Sequence, residues 1–168
     1  MRTSLSIMCL MLLFQFGNAQ TISIVDLEKS LNKDKGIFIK TIETKGFKPG
    51  LQDLEKIAKD LASTVSEMTG KKFIGKSFMH SSNYTATIIY DEKGIAHMVQ
   101  FGTKRPKDDE VKKLSTELLN LDYKKTRDDE SEDGRSNIRA YNKGDKVFSL
   151  AAYYNGGYTL TSYLKVLE

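Results

Sequence analysis

The chain has 168 residues, with 26 Lys and Arg against 22 Asp and Glu, two histidines and a single cysteine. A net charge of +4, interspersed along the sequence, is too small to mark a nucleic-acid or anionic-membrane surface. Two histidines and one cysteine with no ligand spacing between them point away from a transition-metal centre and from cysteine catalysis.

The first twenty residues set the expected compartment. Arg2 is a short basic start, Leu5 to Phe16 is apolar apart from Ser6 and Gln15, and Gly17-Asn18-Ala19 offers small residues ahead of a cut before Gln20. The pattern predicts a cleaved secretory signal over residues 1–19, too short to span a bilayer. Residues 20–168 are then one α+β domain, exported to the periplasm or the extracellular medium. Cutting 19 residues from 168 leaves 149, with 25 basic and 22 acidic residues, and removes Cys9, the only thiol. A domain of that length buries enough apolar surface to fold without disulfides.

Ser23 can cap a short helix carrying Ile24, Leu27 and Leu31 at helical spacing, and a second helix is predicted from about Asp34 to Lys45, with Ile37, Phe38 and Ile42 apolar and Gly46 closing it. Pro49-Gly50 breaks the chain. The clearest helix runs over 51–68, where Leu51, Leu54, Ile57, Leu61, Val65 and Met68 advance by threes and fours, widened by Ala58 and Ala62.

Period two then takes over. Strands are expected at 72–79, at 84–90, where Tyr84, Ala86, Ile88 and Tyr90 alternate with Thr85, Thr87 and Ile89, and at 95–101 after the Asp91-Glu92-Lys93-Gly94 turn. A helix over 107–120 begins after Pro106, with Asp108, Asp109 and Glu110 at its positive end and Val111, Leu114, Leu118 and Leu121 on its buried side. A short strand near 121–126, a polar loop over 127–135, and strands at 137–142, 146–154 and 158–166 complete the chain. Helix, strand and Lys-Gly hairpin occur in this order twice, as in two degenerate repeats. Short links between strands favour a predominantly antiparallel sheet with the helices packed on one face.

Candidate sites are few. His97 shares the parity of Ile95, Val99 and Phe101 and reads as a hydrogen-bonded histidine at the core edge; His80 reads as a solvent-facing turn residue. Asp128, Asp129, Glu130, Glu132 and Asp133 form an acidic loop. It departs from a calcium loop, because Asp133 takes the position-six glycine and Arg139 stands where the bidentate glutamate belongs. It therefore reads as a solvated loop or as an electrostatic contact for a basic partner. In the last strand, Thr159, Thr161 and Tyr163 alternate with the apolar set Tyr158, Leu160, Leu164 and Val166, and should face outward beside Tyr153 as a recognition surface.

The Gly17-Asn18-Ala19-Gln20 junction, Ile24-Val25-Asp26-Leu27, the helix end Lys45-Gly46-Phe47 and the terminal Tyr158–Tyr163 strand (YTLTSY) resemble small exported α+β proteins of Bacteroidota. The resemblance implies an inhibitory binder of the periplasmic immunity or hydrolase-inhibitor type. It carries over no catalytic residue. Together these readings predict a non-enzymatic, cofactor-free module that binds another protein, a toxin or hydrolase, without nucleic acid or a membrane span. The alternative is a small-ligand or lipid-binding periplasmic protein.

Overall fold

The computed structural model describes residues 22–106 and 109–167, so the expected signal segment and the start of the fourth predicted helix lie outside the described residues. Four α-helices are present among them: α1 (Ile24–Ser30), α2 (Lys35–Thr44), α3 (Gln52–Thr69) and α4 (Glu110–Asn120). The strands are β1 (Lys48–Pro49), β2 (Phe73–Met79), β3 (Tyr84–Asp91), β4 (Ala96–Thr103), β5 (Lys124–Glu130), β6 (Ser136–Lys143), β7 (Lys146–Tyr153) and β8 (Tyr158–Leu164). They make one eight-stranded sheet in the order β1-β2-β3-β4-β8-β7-β6-β5, with every neighbouring pair antiparallel. The fold is α+β.

Local chemistry starts the helices where the sequence indicates. Ser23 Oγ accepts the Asp26 N–H while the Asp26 carboxylate accepts the Ser23 N–H, a reciprocal cap that satisfies two otherwise unpaired donors at the start of α1. Asp34 caps α2 through the Gly36 N–H.

Alternation along β3 divides the molecule. Tyr84, Ala86, Ile88 and Tyr90 join Ile24, Leu27, Phe38 and Ile42 of α1 and α2, Leu114 and Leu118 of α4, and Phe148, Leu150 and Leu160 of β7 and β8 in the main core. Phe101 sits at its centre: the Tyr84 ring stacks on it at 5.2 Å, and Phe47 and Tyr158 approach it at 6.3 Å.

On the opposite face, Ala62 and Val65 of α3 pack on Phe73 and Ile89 in a second, smaller core. Gly75 permits the close approach, because a Cβ there would stand 2.0 Å from the Ala58 carbonyl oxygen. The same helix covers the outer edge of β2, where Ser66 Oγ accepts the Phe73 N–H at 2.9 Å and Glu55 accepts the Ser77 N–H at 3.2 Å. The expected arrangement, with the helices on one sheet face, therefore describes α1, α2 and α4, while α3 lies over the other face. The physical reason is contact distance. Glycine at 75 draws in the small edge of α3, so Ala58, Ala62 and Val65 are buried, whereas Leu51, Ile57 and Met68 of the expected stripe are 66, 58 and 66% exposed.

The doubled order of helix, strands and Lys-Gly hairpin is present, but its copies sit differently. Three strands follow α3 and four follow α4, and the two helices occupy opposite faces.

Candidate functional site

Among the described residues, no α-helix other than α3 lies over the second face of the sheet. Register places Met79, Thr85, Gly102, Thr159 and Ala151 in one row across five strands, and Thr87, Gln100, Thr161 and Ser149 in the next. Apart from Met79 and Gln100 these are short side chains, and most are half-buried. Gly102 makes the lowest point of the floor. A Cβ there would stand 2.5 Å from the Tyr158 carbonyl oxygen, so glycine also lets β4 and β8 close.

Where α3 ends its cover, helix and floor enclose a groove with a cavity volume of about 850 Å³. Leu54 and Ile57 of α3 with Met79 form an apolar wall; Thr85, Thr87, Gln100 and Thr159 form a hydroxyl and amide floor; Lys104 and Arg105 stand just past β4. Tyr153 stands on the far side, 40% exposed, with its hydroxyl 3.4 Å from Thr159 Oγ1. Gln100 Nε2 donates to Thr161 Oγ1 at 3.1 Å, which orients the neighbouring row.

Beneath the floor, the groove is anchored from the helix-covered side. Tyr84 and Tyr158 also line it, but their hydroxyls turn to the opposite face and donate to the Glu110 carboxylate at 2.9 and 2.8 Å. One side chain at the start of α4 thus ties together the ends of β3 and β8. Burial first, then the hydrogen bond and charge of Glu110, push the Tyr84 phenol up to about 12. Burial, followed by the Glu110 charge and hydrogen bond, raises Tyr158 further in the same direction.

Comparisons with known protein families, with characterised proteins and with solved structures find no match to this chain. The site therefore rests on its own geometry.

The expected recognition residues separate into two places. Tyr153 and Thr159 line the groove and Thr161 adjoins it, the two threonines on the outward face that strand parity predicts. Tyr163 shares that face but lies beyond the groove, opposite Met98 and Val147. The acidic residues are elsewhere, on the far edge of the sheet. Asp128, Asp129 and Glu130 belong to β5 and Glu132 and Asp133 to the turn after it, so the first four residues of the expected 127–135 loop are strand. Pairing with β6 from Lys124 to Glu130 is the physical reason. Neighbouring cations hold most of these carboxylates. Lys125 and Arg139 reach Asp128 at 2.8 and 3.3 Å, and Arg127 reaches Asp129 at 2.6 Å. Hydrogen bonding from Lys125, then from Arg139, holds the Asp128 carboxyl below its usual range. Glu130 accepts from the Tyr154 hydroxyl, and Asp133 from Ser131 Oγ and the Arg135 N–H. A fully exposed outer strand of mixed charges discourages edge-to-edge pairing with other chains.

Both histidines are structural in place. His97 is the extra residue of a bulge between Ile89–Tyr90 and Met98–Ala96, which turns it away from the face of Val99 and Phe101 onto the Phe73 ring, 5.1 Å away. It pairs with Asp91 at 3.1 Å. His80 is half-buried against Phe47 and accepts the Ser82 N–H, so it is less solvent-facing than its turn position implies. Among the described residues, no group of three or more His, Cys, Asp or Glu could hold a metal ion, and no helix is long and apolar enough to cross a membrane.

Sequence reading missed Leu54, Ile57, Met79, Gln100, Lys104 and Arg105 as site residues. The alternation of Thr85 and Thr87 against Tyr84, Ala86 and Ile88 was the available signal, since it matches the Thr159/Thr161 pattern of β8.

Proposed function

We propose that the chain is an exported, non-enzymatic protein-binding module, of the immunity or inhibitor type, that receives its partner in the groove between α3 and the open sheet face. The observation that carries this reading is the concave surface left where α3 stops. Its wall presents Ile57, 58% exposed, and its far side presents Tyr153, 40% exposed, across a floor of short polar side chains. An aliphatic wall and an aromatic anchor around adaptable hydrogen-bonding groups are what a protein contact uses for affinity and register. The acidic β5 edge is the weaker of the two expected surfaces, because Lys125, Arg127 and Arg139 already neutralise it.

A photo-crosslinking residue placed at Thr159 tests the reading, with a second at exposed Lys40 on α2 as control. In cells that make the protein, Thr159 should give one discrete protein adduct and Lys40 none. Equal adduct patterns from both positions would contradict it. Small-ligand binding is the second reading, favoured by a volume within the roughly 300–1,000 Å³ span of small-molecule sites. A floor of Thr85, Thr87, Gln100 and Thr159 suits a polar ligand better than an acyl chain.

A further inference from the structure

Resting on the reading of the groove as a protein-binding site, we infer that its occupant is an extended segment of the partner that carries an acidic side chain beside apolar ones. Charge complementarity points there first. Lys104 and Arg105 follow β4 directly, are exposed at the groove, and form no ion pair among the described residues. No Asp or Glu lines the groove; of the carboxylates on its flanking elements, Glu55 accepts the Ser77 N–H, and Glu110 faces the other side of the sheet, holding Tyr84 and Tyr158. Two cations beside a groove with no carboxylate of their own attract an anionic group, and guanidinium and ammonium donors match a carboxylate.

The remaining surfaces fix the rest of the occupant. Leu54, Ile57 and Met79 offer flexible aliphatic contact for an apolar side chain. The floor between wall and Tyr153 spans β3, β4 and β8, about 10 Å between the outer strands at the usual spacing. Hydroxyls that donate or accept, and an amide that does both, can meet the alternating N–H and C=O groups of an extended backbone, and Gly102 leaves room for that backbone to settle. A polysaccharide would call for a broader aromatic platform. Among the residues that line the groove, Tyr153 alone presents its ring on this side, because Tyr84 and Tyr158 turn their hydroxyls to Glu110 on the other.

The test is selection of random linear twelve-residue peptides displayed on phage against the immobilised protein, followed by binding measurements on the enriched peptides. The expected peptides place Asp or Glu within a few positions of Leu, Ile, Val, Met or Phe. Reversing both cations, Lys104→Glu with Arg105→Glu, should weaken them by about tenfold or more. The same charge change at exposed Lys40 and Lys113 should leave affinity within about twofold, the remote surface effect being screened by salt. Thr159→Trp, or Thr85→Trp where the first variant does not fold, should block binding by filling the groove. Peptides that are blocked by the tryptophan, lack acidic residues and ignore the charge reversal would overturn the acidic occupant and leave the groove as a protein site. Peptides indifferent to the tryptophan would overturn both readings. Heparin binding that depends on Lys104, Arg105 and Thr159, with no peptide enriched, would replace the protein segment by an anionic polysaccharide.

Discussion

Successive residues of β8 meet two different surroundings. Tyr158, Leu160, Ser162 and Leu164 are buried on the side of α1, α2 and α4, whereas Thr159, Thr161 and Tyr163 lie half-exposed on the side that α3 leaves uncovered. The strand and its backbone hydrogen bonds are the same for both sets. The helix-covered face is therefore where stability resides, through large aromatic and aliphatic contacts, and the other face is where short polar side chains tolerate change. The contrast continues along the sheet. Near β2 both faces are covered, because Gly75 brings α3 down onto Ile89, while around Thr159, Thr161, Ser149 and Ala151 no α-helix of the described residues covers the second face. Sites of recognition belong on the uncovered part, since residues there are not already committed to packing.

The largest effect should come from Phe101→Ala. It removes the ring that Tyr84, Phe47 and Tyr158 pack on, and should cost about 3–5 kcal/mol in urea unfolding, against less than about 0.5 kcal/mol for Thr161→Ala on the open face. Equal costs would erase the distinction between the faces. Gly75→Ala comes next. Its methyl meets the Ala58 backbone, which belongs to a helix and cannot swing aside, so α3 must lift and stability should fall by about 1–3 kcal/mol. Calorimetry would read this, and a variant as stable as the parent would show that α3 is not held by that contact.

Glu110 offers a comparison by pH. Tyr84 has a folded value of about 12 against 10.0 for the free side chain, so the folded state holds this proton more tightly than the unfolded chain. The associated stability is complete below pH 10 and is lost as pH rises toward 12. Glu110→Gln removes the charge that contributes to the shift. It should be less stable near neutrality by about 1–3 kcal/mol, through loss of charge-assisted hydrogen bonds, and should show a shallower decline from pH 10 to 12. Parallel pH profiles would contradict the role given to Glu110. The smallest effect runs the other way. Ser162 is buried with its hydroxyl unpartnered among the described residues, so Ser162→Ala should raise stability by about 1 kcal/mol. A destabilised variant would mean that the hydroxyl has a partner in solution.

Much of this contrast could be read from the sequence, because period two in β3 and β8 assigns each residue to a face regardless of which strand lies beside it. That parity places Thr159, Thr161 and Tyr163 outward, and all three are half-exposed on the face opposite the main core. The groove could not be read, because it depends on β4 pairing with β8, strands separated by α4 and three others, and on α3 crossing to the second face. Gly75 decides that crossing. A glycine in a strand marks close approach of something, but not of what. The acidic segment was misplaced for a related reason: Lys124 to Glu130 has no apolar alternation, and only its partner β6 makes it a strand. His97 was assigned the wrong face by one bulge residue, which inverts parity locally.

The central claim, an open and accessible β8 face opposite a packed one, is tested most directly by thiol labelling. Cys9 is the only cysteine, so with Cys9→Ser a single introduced thiol reports alone. Cysteines placed one at a time at Thr159 and Thr161 should react in the folded protein within about tenfold of the rate in urea. Those at Leu160 and Ser162 should react only through unfolding, slower by a factor of about a thousand or more for a domain of ordinary stability. Protection of Thr159 and Thr161 equal to that of Leu160 and Ser162 would show that the face is covered, and would contradict the account.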